Sequence, residues 1–164
     1  MRRVGVVVSH DSVTAVCCGS KGADAPWARI ASRSGNLAAD LASILEDIPQ
    51  ARWGQHRVTV VLDEIVTSKT VRGLPETNRA RSLSRVIAAA PERFFLGERG
   101  TTVTTNVAIM APGVVIAAAV PEVILSSISG ACAETRCTLV RVVLADYVRR
   151  MLNLNEASAL DLAI

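Results

Sequence analysis

The sequence predicts an α/β protein built on a mixed sheet, with a smaller α+β lobe beside it. Three observations point there. Short apolar runs alternate with segments of helical period along the 164 residues. Half of the chain is hydrophobic, Val and Ala dominate that half, and aromatic residues make up only 3%, which suits a sheet covered by Ala-rich helices. The first three apolar runs are joined by short turns, which force hairpins, whereas the fourth follows a helical segment, which allows a parallel return.

Val4–Val8 and Val13–Cys18 read as strands around the polar turn Ser9-His10-Asp11-Ser12. Gly19–Gly22 is a second turn, and Trp27–Ser32 alternates as a third antiparallel strand. Asn36 then reads as a helix N-cap, with Leu37, Leu41, Ile44, Leu45 and Ile48 at helical spacing and Asp40 near the start, where an anion is favourable. Pro49 closes that helix. Arg57–Leu62 is nearly all apolar, the mark of an interior strand, here parallel to the first.

A helix over Glu76–Ala90 carries Leu83, Val86 and Ile87 as one stripe and exits at Pro91 and Phe94-Phe95-Leu96-Gly97. Thr102–Ala108 and Val114–Ala119 form a hairpin about Ala111-Pro-Gly113. Pro121 starts the helix Glu122–Glu134, whose apolar face is Val123, Ile124, Ile128 and Cys132. Thr138–Leu144 returns as a strand, and Asp146–Leu152 as a short helix. Each of the two later helices has one apolar stripe and needs a sheet face to cover. The expectation is that Thr102–Ala108, Val114–Ala119 and Thr138–Leu144 share the smaller sheet, against those two helices. The domain reading is residues 1–70 as a mixed-sheet subdomain, 71–145 as the smaller α+β lobe, and 146–164 as a terminal helix leading toward a further domain.

Composition narrows the function classes. The net charge of +3 is mild and the Lys and Arg residues are scattered, so nucleic acid binding is not indicated. Ser9, His10 and Asp11 break the first apolar run too early for a secretory signal, and no run reaches the ~20 residues of a membrane helix. A soluble, cytoplasmic protein is expected. Cys17 and Cys18 are adjacent and Cys132 and Cys137 are five apart, which is not a zinc spacing, so they read as buried thiols and no metal site is expected.

Candidate chemistry is sparse. Asp63 and Glu64 are adjacent carboxylates at a strand exit, but neighbours in a strand point to opposite faces. His10 and Asp11 lie beside Ser9 and Ser12, yet no G-x-S-x-G elbow surrounds either serine, so no catalytic residue is assigned. His56 reads as a surface residue. Arg81 and Arg85 are i,i+4 neighbours on one helix face, in a region that also holds Arg72 and Arg79. With Phe94 and Phe95 they are the partner-binding candidates; the competing reading is a solvated helix face and rings turned into the core.

Four segments carry a resemblance: Gly5–Val16; VVLDEIVTSKTVRGLP at Val60–Pro75; Leu83–Leu96; and Ala117–Val142. Together they resemble the first domain of the actin-like ATPase fold, of ribonuclease H-like topology. Within it the chain is most similar to PilM-type pilus assembly proteins and to the cytoplasmic part of the type II secretion L-component. The resemblance implies a nucleotide-binding position at Ser9, His10, Ser12 and Thr14. Where that family carries a metal-coordinating acidic residue, this sequence has Val7. Where it carries the turn glycine that lets backbone N–H groups approach phosphate, this sequence has Ser9. The turn therefore reads as a hairpin. A two-metal nuclease lacks its carboxylate cluster for the same reason.

What the resemblance implies is a non-catalytic protein-binding or scaffolding module of a pilus or secretion assembly platform; the alternative is a degenerate nucleotide-binding ATPase domain. No cofactor is expected, with ATP and magnesium entering only together with a second domain. The implied partners are proteins at the cytoplasmic face of the inner membrane, not nucleic acid, with a homo-oligomer left open. The implied location is cytoplasmic and peripheral at the inner membrane.

Overall fold

The computed structural model describes residues 3–18, 26–49, 55–63, 65–66, 68–75, 79–95 and 102–150. The chain divides into two compact units, Met1–Ile65 with Val123–Val143, and Val66–Glu122 with Leu144–Ile164.

The first unit is a five-stranded sheet with two helices. Its strands are β1 (Arg3–Val8), β2 (Ser12–Cys18), β3 (Trp27–Ser32), β4 (Arg57–Leu62) and β8 (Thr138–Leu144), in the order β3-β2-β1-β4-β8. Its helices are α1 (Leu37–Glu46) and α3 (Glu122–Glu134). As expected, β1, β2 and β3 are antiparallel neighbours, and β4 lies parallel to β1, so β1 sits at the centre of the sheet. Period-two alternation sends Val4, Val6, Val8, Val13, Ala15, Val58, Val60 and Leu62 inward. Helix α1 packs on β2 and β3 and buries Leu41, Ile44 and Leu45, each side chain contributing about 1.5–3 kcal/mol. The Asn36 side-chain oxygen accepts from Ala39 N at 3.2 Å and caps that helix. The opposite face of the sheet carries Val7, Val16 and Ile30, all exposed.

The second unit is a three-stranded antiparallel sheet in the order β5-β7-β6, from β5 (Ser68–Arg72), β6 (Val103–Ala111) and β7 (Val114–Pro121). It also holds α2 (Ala80–Ala89), a 3-10 turn at Pro91–Arg93 and a helical stretch over 145–150. Its core joins Val71, Leu74, Leu83, Ile87, Val107, Val115 and Ala117, with Phe94, Phe95 and Ile109 packed against it. Helix α2 is tied to β6 by a reciprocal pair: Ser84 Oγ donates to Thr105 O and Thr105 Oγ1 to Ser84 O, both at 3.0 Å.

Several expectations need correction. Thr138–Leu144 was expected in the smaller sheet but lies next to β4 in the larger one, and α3 belongs to that same unit. A strand that follows a helix is not bound to its hairpin neighbours and returns wherever an edge is open. The third strand of the smaller sheet is β5, a stretch too polar to read as a strand. It is accommodated because Ser68, 1% exposed, gives its amide and hydroxyl to Asp146 Oδ2, each at 2.7 Å. Helix α2 is described only from Ala80, since residues 76–78 lie outside the described residues. Val86 and Val123 were placed on buried stripes and are exposed, at 44% and 70%; the buried sets are Leu83 with Ile87, and Ile128 with Ala131 and Cys132.

Candidate functional site

The turn between β1 and β2 closes on itself. Ser9 N donates to Ser12 O at 2.9 Å, Ser12 N donates to Ser9 Oγ at 3.2 Å, and the two hydroxyl oxygens are 3.0 Å apart. Arg33, just past β3, fastens it: its N donates to Asp11 O at 2.9 Å and its Nη1 to Ser9 O at 3.4 Å. Asp63 N donates to Val8 O at 2.8 Å and holds the other side. His10 and Asp11 at the tip are exposed. Val7 stands on the open face, in register with Thr14 on one side and Val61 on the other.

A cavity of about 460 Å³ opens near this turn, within the first unit. Leu37, Ile65, Val123 and Ile124 supply its apolar wall, and Arg33, Asn36 and Ser127 its polar edge. Asn36 and Ser127 are engaged by side-chain hydrogen bonds, whereas the buried Arg33 Nε has no hydrogen-bond partner among the described residues and only the Asp40 carboxylate beside it. Asn36 Oδ1 caps α1, Ser127 Oγ donates to Val123 O at 2.8 Å, and Arg33 Nε lies 3.8 Å from Asp40 Oδ2. Asp40 in turn accepts from Ser34 Oγ at 2.6 Å. The wall of the cavity is mostly apolar, and its volume lies within the size range of binding pockets. It is suited to an apolar side chain of another molecule.

The residues singled out from sequence fall in separate places. Ser9 and Ser12 meet in the turn, with His10 at its tip and Thr14 half-buried in β2. Arg72, Arg81 and Arg85 are exposed in the second unit, whose core also holds the half-buried Phe94 and Phe95. His56, expected at the surface, is half-buried, and its carbonyl accepts from Thr138 N at 2.8 Å. Asp63 is half-buried and Glu64 lies outside the described residues. Cys17 and Cys132 are buried and Cys137 is partly buried. Among the described residues no three His, Cys, Asp or Glu side chains come together as a metal set. The apolar cavity itself was missed. Its one sequence signal was the Asn36 cap, because Val123 was read as core.

No protein-family model matches the chain, and no curated protein matches it in sequence. Solved structures do. The cytoplasmic domain of EpsL, an inner membrane component of the type II secretion system of Vibrio cholerae, aligns with a TM-score of 0.63 at 13% identity, over 88% of this chain and 57% of that one. The PilM-PilN type IV pilus biogenesis complex aligns at 0.53 and 16% identity, over 88% and 47%. A Bacteroides thetaiotaomicron protein with an actin-like ATPase fold and unknown function aligns at 0.50 and 11% identity, over 86% and 51%. The fold is actin-like. The chain spans about half the length of the structures it matches.

An actin-like fold raises the question of a magnesium nucleotide at the β1–β2 turn. The residues present do not fit one. Val7 offers no oxygen to a cation, and hard cations take oxygen ligands. The hydroxyls of Ser9 and Ser12 are bonded to each other, and Asp11 adds negative charge where a phosphate would approach.

Proposed function

We propose that this chain is a non-catalytic protein-binding or scaffolding module of a secretion or pilus assembly platform. The observation that carries the reading is its likeness, over 88% of its length, to the cytoplasmic domain of EpsL. Val7 and the self-bonded turn support it, because Val7 offers no oxygen to a cation and the Ser9 and Ser12 hydroxyls are bonded to each other where an actin-like ATPase would hold nucleotide. The cavity walled by Leu37, Ile65, Val123 and Ile124 is the docking point, taking an apolar side chain of a protein partner. The partner is a component at the cytoplasmic face of the inner membrane, where this chain is peripheral.

Capture of the tagged chain from its native cells tests the reading. Inner-membrane assembly proteins are expected in the wild-type capture and are expected to be lost with Val123→Glu, a change at an exposed residue that leaves the core intact. Recovery of a soluble enzyme complex instead would count against it. A calorimetric titration with magnesium ATP tests the alternative, a degenerate ATPase domain. Binding tighter than about 100 μM, worth roughly 5 kcal/mol, would favour that alternative and return Ser9, His10, Ser12 and Thr14 to the site.

A further inference from the structure

The larger sheet carries a second feature at the other end of its strands. Arg3 opens β1 and Arg57 opens β4, and the two are register partners on adjacent parallel strands. Arg141 lies in β8, the next strand in the sheet. All three are exposed, and with Thr59 and Val140 they line one cavity of about 210 Å³. Among the described residues no carboxylate lines that cavity and none of the three arginines forms an ion pair.

Like charges directly opposite one another on neighbouring strands are destabilising. Three guanidinium groups around one cavity compound that cost, and an anion recovers it. The guanidinium fork matches a multi-oxygen anion with paired donors, and the Thr59 hydroxyl adds another. The volume is many times what a single water molecule needs, which leaves room for a phosphoryl group. Gly5, in register with Thr59, leaves the adjoining surface open: a Cβ built there meets nothing within 4 Å. The body of a larger phosphoester has space to lie over β1, toward the exposed Val7. Arg3 is separated from the β1–β2 turn by the length of β1, about 17 Å at ~3.4 Å per residue, so this is a different place from the nucleotide position of an actin-like fold.

We propose that Arg3, Arg57 and Arg141 form a phosphoryl-binding site on the larger sheet, in the cavity that they line together. The ligand class is a phosphate-bearing anion, whether a soluble phosphoester or a phospholipid headgroup.

The test is calorimetric titration of the full chain with inorganic pyrophosphate at low salt. Wild type is expected to bind, with Arg3→Gln, Arg57→Gln and Arg141→Gln each weakening binding about tenfold, the scale of one charge-assisted hydrogen bond. Arg72→Gln, in the other unit, is expected to change nothing. A second readout needs no ligand: Arg57→Gln relieves the repulsion with Arg3 and is expected to raise the melting temperature, while added pyrophosphate stabilises wild type more than the variant. Vesicles containing phosphatidic acid separate the sources. Vesicle binding that pyrophosphate competes away assigns a lipid headgroup; pyrophosphate binding without vesicle binding assigns a soluble phosphate. Absence of pyrophosphate binding, or equal binding by wild type and the triple variant, would overturn the site.

Discussion

Asp146 shows how a single carboxylate organises its surroundings. It accepts from the amide and hydroxyl of the buried Ser68, each at 2.7 Å, and from Arg150 Nε at 3.1 Å. Burial alone would raise its pKa, but the Ser68 bonds and the Arg150 guanidinium outweigh burial and hold it below the ordinary value. A depressed carboxylate stabilises the fold above its unfolded-state pKa, about 3.9, and that stability is lost as pH falls through the lower, folded value. Asp146→Ala is expected to cost about 1–3 kcal/mol near neutral pH, because Ser68 is left buried without its acceptor. Denaturant titrations across pH should also show a shallower loss of stability on the acid side in the variant; an unchanged acid limb would remove Asp146 from this role. Cys132 presents the opposite case. Burial, with a contribution from nearby Cys137, pushes its thiol up to about 11. The thiolate is the reactive form, so timed labelling at mildly alkaline pH should modify Cys137 well before Cys132 in the native protein. Both should react alike in denaturant. Early modification of Cys132 would mean that the core around α3 opens.

At the scale of elements, the β6–β7 hairpin rests on one glycine. Gly113 sits at φ +71°, and a Cβ there would come within 3.3 Å of the Leu74 carbonyl oxygen. Gly113→Ala is therefore expected to destabilise the protein by roughly 1–2 kcal/mol, the cost of a left-handed residue, plus the contact with the Leu74 backbone. A thermal melt indistinguishable from wild type would contradict this. That turn was legible in the sequence because Pro-Gly fixes a turn locally. The three opening strands, α1 with its Asn36 cap, and the parallel return of β4 were legible for the same reason: their signals lie in periodicity and connection length. What failed was non-local. β5 is a strand because it pairs with β7, its buried Ser68 satisfied by Asp146, 78 residues away, and nothing in Ser68–Arg72 announces either. The placement of β8 beside β4 depends on which sheet edge is open, and the apolar cavity depends on Leu37 and Val123 meeting from distant elements. The β1–β2 turn was readable as a hairpin, but its fastening by Arg33 was not, since Arg33 carried no motif.

For the whole molecule, the order of the chain makes a strong claim. It leaves the first unit after Ile65 and re-enters at Val123, and those two residues line the same cavity. Exit and return are therefore close together, which is the arrangement in which an inserted segment is dispensable to its host. Each unit also has its own buried set. The first is built from Val4, Val6, Val8, Leu41, Ile44, Val58, Val60, Leu62 and Ile128, and the second from Val71, Leu74, Leu83, Ile87, Val107, Val115 and Ala117. The central strand β1 draws both its partners, β2 and β4, from the first unit. Replacing residues 66–122 by a short Gly-Ser linker, in a chain ending at Val143, is expected to yield a cooperatively folding first unit. Its guanidinium unfolding should be a single transition with a smaller m-value than the full chain, since m scales with the surface exposed on unfolding. Circular dichroism should retain both helical and strand signal. A broad, non-cooperative transition would mean that the β1–β4 core needs the inserted segment to hold its register, and that the two units are one folding entity.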